Sequence, residues 1–174
     1  MKRLFYYLAL TMLMPSAFAI ENNVQISGQL VAEPCTLSTD SSAITLDFGN
    51  LASKYFYQTS RTPGEPFAIV LTECDTSLGN SATVTFKGTE SVALPGLLVP
   101  DDGDTHGIAF GIETDEGSPQ PLVLNQPSPV FALANGTNTL ALRGYVQAEP
   151  DAIAAQSLTA GPFIATATFQ IDYP

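Results

Sequence analysis

Tryptophan is missing from this sequence, histidine appears once, cysteine twice, and lysine and arginine together six times among 174 residues. Each scarcity closes off a class of function. Seventeen acidic residues stand against those six basic ones. The chain therefore has no cationic surface with which to hold a phosphate backbone, and nucleic acid is excluded as a partner. His106, in the loop sequence DDGDTHG, would have to serve alone in any Ser-His-Asp centre, and no G-x-S-x-G turn exists to present a serine to it. It is read as a solvated loop residue. Asp101, Asp102 and Asp104 beside it offer oxygen ligands, but the other ligands of a calcium loop and its bidentate glutamate are missing. The run is read as an acidic turn. No catalytic residue, metal or cofactor is assigned, and the chain is read as a non-enzyme with no small-molecule substrate. The lack of indole rings also weakens the case for a sugar-binding platform.

Long apolar runs are missing too. The stretch LFYYLALTMLM at residues 4–14 follows Lys2 and Arg3 and precedes AFA at residues 17–19. It is too short to span a bilayer. A positive start, a short apolar centre and a small-x-small site make a secretory signal peptide; an uncleaved anchor or a buried strand is the alternative. Residues 1–19 are assigned to the signal. Cleavage after Ala19 leaves about 155 residues, the size of one domain. It also moves the formal charge from −11 to about −13, an excess that favours solubility or a basic partner. In a secreted chain the pair Cys35 and Cys74 reads as one disulfide, because an oxidising compartment sustains it. Free thiols or two metal ligands are the alternatives, though no histidine lies near to complete a tetrahedral site.

What is present is β-structure. Strand-like runs alternate with Gly, Pro, Asn and Asp clusters: VQISGQLVA at residues 24–32, then AITLDFG, FAIVLTEC, ATVTFKG, GIAFGIET, a long run after Asn135-Gly136, and ATATFQIDYP at the end. About seven short strands in one domain is the count of an immunoglobulin-like sandwich. PDAIAAQSL has room for a helical turn or two. Asn135-Gly136-Thr137 matches a glycosylation triplet, but an Asn-Gly pair already has a structural reason as a tight turn.

Both ends of the mature chain alternate with period two. Ile20, Asn22, Val24 and Ile26 share one side of the first segment, and Ala165, Ala167, Phe169, Ile171 and Tyr173 share one side of the last. A strand at the chain's end has nowhere obvious to send an unpaired edge. Several motifs now converge: GQLVAEPC around Cys35, VLTEC at Cys74, VTFKGTESVALPG at residues 84–96, a glycine fourteenth from the end (Gly161), and Tyr173 next to last in ATATFQIDYP. Over the whole mature chain these features resemble the pilins of the chaperone–usher pathway, subunits of Gram-negative adhesive fibres, and within them the minor and adaptor subunits of P-type pili.

That resemblance implies an all-β fold: an incomplete immunoglobulin-like β-sandwich lacking its final strand, with an open hydrophobic groove along the terminal strand. Residues 20–27 would be an N-terminal donor extension and residues 28–174 the pilin domain. Ile20, Asn22, Val24 and Ile26 would face a neighbour's groove. Gly161, Ala165, Ala167, Phe169, Ile171, Tyr173 and Pro174 would mark this chain's own groove, and Cys35 and Cys74 would tie the first strand to the second. The implied partners are a periplasmic chaperone that also grips the Pro174 carboxylate, an outer-membrane usher and neighbouring pilins. Assembly would be by donor-strand exchange, in a pilus on the surface of a Gram-negative bacterium. The alternative is a carbohydrate-binding tip adhesin, which in this pathway carries an additional domain. The chain departs from the family at Asn22-Asn23, where the extension usually has glycine, and at Pro174, which lacks an N–H for a ladder bond.

Overall fold

A computed structural model describes residues 26–27, 33–101 and 105–174. The chain divides into units at residues 1–31 and 32–174, and the fold below is that of the second. The signal peptide, Ile20, Asn22 and Val24, the strand expected at residues 24–32 apart from Ile26 and Ser27, and Asp102 and Asp104 lie outside the described residues. Ile26 and Ser27 belong to neither helix nor strand.

Cys35 opens the first ladder. It is joined by a disulfide to Cys74 and leads directly into β1 (Thr36–Leu37), which pairs antiparallel with β2 (Glu65–Cys74). β2 carries Ile69 and Leu71 inward with no exposure. It pairs along most of its length with β7 (Gly136–Ala148), whose Leu140 and Leu142 meet it across the register Ile69↔Leu140 and Phe67↔Leu142. β7 then pairs with β4 (Ile108–Thr114), and β4 with β5 (Pro121–Leu122). These form a five-stranded sheet in the order β1-β2-β7-β4-β5. The second sheet has three strands in the order β6-β3-β8: β6 (Phe131–Ala132), β3 (Ser81–Lys87) and β8 (Thr168–Asp172).

The core lies between the sheets. Ile69, Leu71, Leu140 and Leu142 from the first pack with Ala82, Val84 and Phe86 from the second, joined by Leu98, Leu122, Leu124 and Leu133. Full burial of each large aliphatic side chain contributes roughly 1.5–3 kcal/mol relative to exposure. The Asn135-Gly136 turn starts β7 with Gly136 at φ +94. Asn135 Oδ1 accepts from both the N–H and the hydroxyl of Thr76, each at 2.8 Å, which gives the pair a structural role.

Among the described residues two α-helices accompany the sheets. α2 (Pro150–Ala155) begins with proline, whose missing N–H costs nothing in a first turn, and ends at Gln156 with φ 52. α1 (Ser53–Thr59), sequence SKYFYQT, was not expected as a helix: its aromatic content favours strands. Phe56 decides the matter. It is buried and packs with Ile108, Val146 and Ala148 in a second cluster, so tertiary contact overrides local propensity.

Two strand expectations are corrected. AITLDFG forms neither helix nor strand, although its burial alternates. The final ladder covers Thr168–Asp172 only, and Ala165–Ala167 precede it without strand pairing. Both departures have one cause: a strand needs a neighbour for its hydrogen-bond ladder, and these residues flank a space that holds none among the described residues.

Candidate functional site

A groove of about 850 Å³ separates residues 42–48 from residues 163–169. On one wall Ile44, Leu46 and Phe48 turn inward while Ala43, Thr45 and Asp47 are exposed. On the other, half-buried Phe163, Ala165, Ala167, Phe169, Ile171 and Tyr173 alternate with exposed Ile164, Thr166, Thr168, Gln170, Asp172 and Pro174. None of the inward residues reaches full burial, whereas Ile69 and Leu71 in the core beneath are completely covered. The apolar faces have the periodicity of strands without the full cover that core strands receive.

Phenylalanines organise the floor. At one end Phe169, Phe86 and Phe67 form a chain of ring contacts with centroids 6.1 and 6.3 Å apart. At the other, Phe48, Phe110 and Phe163 do the same at 6.5 and 5.5 Å. Such tilted and edge-to-face pairs contribute about 0.5–1.5 kcal/mol each beyond area burial. They fix the floor before any ligand arrives. Gly144 also lies there, and a β-carbon on it would come within 2.6 Å of Leu46 Cδ1.

The backbone is as incomplete as the side chains. β8 pairs with β3 from Lys87↔Thr168 to Thr83↔Asp172, and it is the last strand of its sheet, with one edge bare among the described residues. Backbone N–H and C=O groups along such an edge want partners. Just before β8 the chain is braced: Asp101 N–H donates to the Ile164 carbonyl at 2.7 Å, the Thr105 hydroxyl to the Pro162 carbonyl at 2.8 Å, and the Thr166 hydroxyl to Asp101 Oδ2 at 2.8 Å. One wall is thus held in place by neighbouring structure.

Among the described residues no carboxylate, lysine, arginine or histidine lines the groove. Its ionisable member is Tyr145, whose hydroxyl is pushed above its ordinary value of 10.0 by burial. That ring lies beneath the Arg61 guanidinium at 3.8 Å, and Arg61 in turn grips Glu113 through two contacts of 3.1 and 2.8 Å. Tyr173 is likewise pushed up, first by burial and then by the negative charge of Glu33. A surface of this kind takes an extended apolar segment: alternating side chains enter the groove and backbone amides meet the bare edge.

Ala165, Ala167 and Phe169 line the groove, while Ile171 and Tyr173 pack on the core beyond its lining. Gly161 is exposed and borders a smaller hollow of about 520 Å³ between residues 46–51 and 161–163. Pro174 is exposed. His106 is exposed, and its carbonyl accepts the Thr159 N–H at 3.2 Å. Among the described residues no three His, Cys, Asp or Glu side chains converge as metal ligands. Sequence reasoning missed the opposite wall of Ile44, Leu46 and Phe48, the Phe163 end and the phenylalanine floor. The alternation in AITLDF carried the signal, but it was read as an ordinary core strand.

Comparison with known proteins gives a consistent result. The family described as fimbrial protein matches residues 24–174. The fimbrial adapter PapK of Escherichia coli is 33% identical over 159 residues, covering 89% of each chain. The P pilus rod subunit PapA superposes with a TM-score of 0.69 at 22% identity, over 82% of this chain and all of that one, a likeness of fold. An antigen and type I fimbria protein of Burkholderia pseudomallei has a TM-score of 0.59 at 28% identity, covering 80% and 89%.

Proposed function

We infer the function from one premise: this chain belongs to the fimbrial protein family. It is a structural subunit of a surface pilus, and its groove is the place where another molecule's β-strand completes the sandwich. The observation that carries this reading is the pair of alternating apolar walls that face one another and stop short of full burial.

A strand laid along β8 satisfies the bare row of backbone groups, at about 0.5–1.5 kcal/mol net per hydrogen bond. Its inward side chains contribute roughly 1.5–3 kcal/mol each on full burial. Ordering the incoming segment offsets part of that sum. In the periplasm the strand comes from a chaperone that also holds the Pro174 carboxylate, and at an outer-membrane usher it is replaced by the N-terminal extension of another pilin. Residues 20–27 are this chain's own extension, with Ile20, Val24 and Ile26 as its apolar anchors. Each joint is head-to-tail, so repetition builds a fibre. A place as a minor adaptor subunit follows from the likeness to a relative named a fimbrial adapter.

The test has two arms. An eight-residue peptide of alternating valine and threonine, added to the refolding full chain, forms a one-to-one complex with a raised melting temperature. Deleting residues 20–27 leaves that binding intact and removes the chain's ability to fill another pilin's groove. A full chain that ignores the peptide and melts unchanged refutes the reading.

A further inference from the structure

The turn that opens β7 carries the one Asn-Gly pair of the sequence, Asn135-Gly136. Both residues are exposed, and a β-carbon on Gly136 would meet nothing within 4 Å. The φ of +94 at Gly136 calls for glycine. With no side chain on Gly136, nothing shields its backbone nitrogen from the carboxamide that precedes it. Asparagine is thermolabile for this reason: the amide nitrogen of the next residue, once deprotonated, attacks the side-chain carbonyl.

The Asn135 side chain is not free to turn. Its Oδ1 accepts the N–H and the hydroxyl of Thr76, each at 2.8 Å. Thr76 belongs to another segment, fixed two residues earlier by the Cys35–Cys74 disulfide. Around it the Asp75 N–H donates to the Pro34 carbonyl at 2.8 Å, the Leu78 N–H to the Asp75 carbonyl at 3.1 Å, and the Ser77 N–H to Asp75 Oδ1 at 2.9 Å. On the other side Asn138 holds Ala134 from both directions. The Ala134 N–H donates to Asn138 Oδ1 at 2.8 Å, and Asn138 Nδ2 donates to the Ala134 carbonyl at 2.7 Å. Two braced segments are thus joined through one carboxamide oxygen.

We propose that Asn135 is a deamidation site whose reaction the folded chain holds in check through Thr76. The reaction needs only water. The Gly136 nitrogen gives its proton to solvent base and bonds to Asn135 Cγ, while the Cγ–Nδ2 bond breaks and Nδ2 leaves as ammonia. Water then opens the cyclic imide at either carbonyl, giving aspartate or isoaspartate. To reach the Gly136 nitrogen, Cγ must turn away from Thr76, so ring closure breaks both hydrogen bonds. Unfolding removes that restraint. Aspartate returns an oxygen to the place of Oδ1 and restores both bonds. Isoaspartate routes the backbone through the side chain, lengthening it where Gly136 stands opposite Cys74 in the β2–β7 register. Time spent unfolded is thereby written into the first residues of β7.

The full mature chain is kept in mildly alkaline buffer, folded in one sample and in guanidinium chloride in the other. Peptide mapping by mass spectrometry follows conversion at Asn135. The folded chain converts at least about tenfold more slowly, the scale set by two hydrogen bonds that must break before the ring closes. Folded Thr76→Val, which lacks the hydroxyl, converts about threefold faster than the parent or more. Thr76→Ser keeps both donors and the parent's rate. Equal rates in the folded and denatured parent chain overturn the proposal, and that comparison decides by itself should Thr76→Val not fold. A folded Thr76→Val chain that converts no faster than the parent overturns it as well. Neither failure touches the groove reading, which peptide binding tests separately.

Discussion

Leu46 occupies the hollow that Gly144 leaves on the groove floor: a β-carbon at position 144 would approach Leu46 Cδ1 to 2.6 Å and Phe48 Cζ to 3.7 Å. The wall therefore leans on the floor at a point where the floor has no side chain. In the Gly144→Ala variant the flexible end of Leu46 must rise into the groove. Stability falls by no more than about 1.5 kcal/mol, because Leu46 is half-buried and has somewhere to go. Affinity for an alternating apolar peptide drops by about tenfold. Urea denaturation and peptide titration measured on the same variant separate the two effects.

Ala167 is the small residue in the middle of the opposite wall, half-buried and facing the groove. Replacing it with tryptophan fills space that an incoming side chain needs. Peptide binding falls more than about tenfold, while the melting temperature of the free chain stays the same or rises slightly, because the new ring covers half-buried phenylalanines. A large loss of stability would place Ala167 in the closed core instead.

Gly111 contrasts with Gly144. A β-carbon there would sit 2.1 Å from Tyr145 Cζ and 2.4 Å from its hydroxyl oxygen. That ring is rigid, almost fully buried and stacked beneath Arg61. Gly111→Val therefore costs about 2–4 kcal/mol, read as a lower urea midpoint.

The disulfide spans a sequence separation of 39 residues. Loop-closure entropy assigns it about 4 kcal/mol. The Cys35→Ser/Cys74→Ser pair loses stability on that scale, and the oxidised protein melts well above the same protein held in reductant.

Alkaline pH tests the buried tyrosines. Burial raises the pKa of Tyr145 from its ordinary 10.0, more than the nearby positive Arg61 lowers it, and Glu113 adds to the rise. Tyr173 is raised by burial and by Glu33. Both groups are protonated in the fold and lose a proton more readily when unfolded. Their contribution is fully present below about pH 10 and is lost as pH rises through the raised folded values. Chemical denaturation across that range shows a falling alkaline limb, and Tyr145→Phe flattens it.

Much of this architecture was legible in the residues. Ile69 and Leu71 in β2, Val84 and Phe86 in β3, and Leu140 and Leu142 in β7 announce themselves by alternation, and one sandwich of short strands follows from them. Ala165, Ala167 and Phe169 were legible as a terminal apolar face. Ile44, Leu46 and Phe48 were legible as a periodic run but not as the facing wall: alternation says which side is apolar and never what stands opposite. The helix at Phe56 was hidden for a related reason. Tyr55, Phe56 and Tyr57 favour strands locally, and the burial of one ring against Val146 and Ile108 outweighs that preference. Gly111 and Gly144 looked like ordinary strand glycines until Tyr145 and Leu46 were seen lying over them.

The phenylalanine floor has a practical corollary. Phenylalanine is a weak fluorophore, and the chain contributes no indole of its own. A single tryptophan placed on the inward side of an added strand would thus be the sole such emitter in the mixture. Its blue shift on passing from water into the ring-lined trough would report occupancy directly, with no label on the protein.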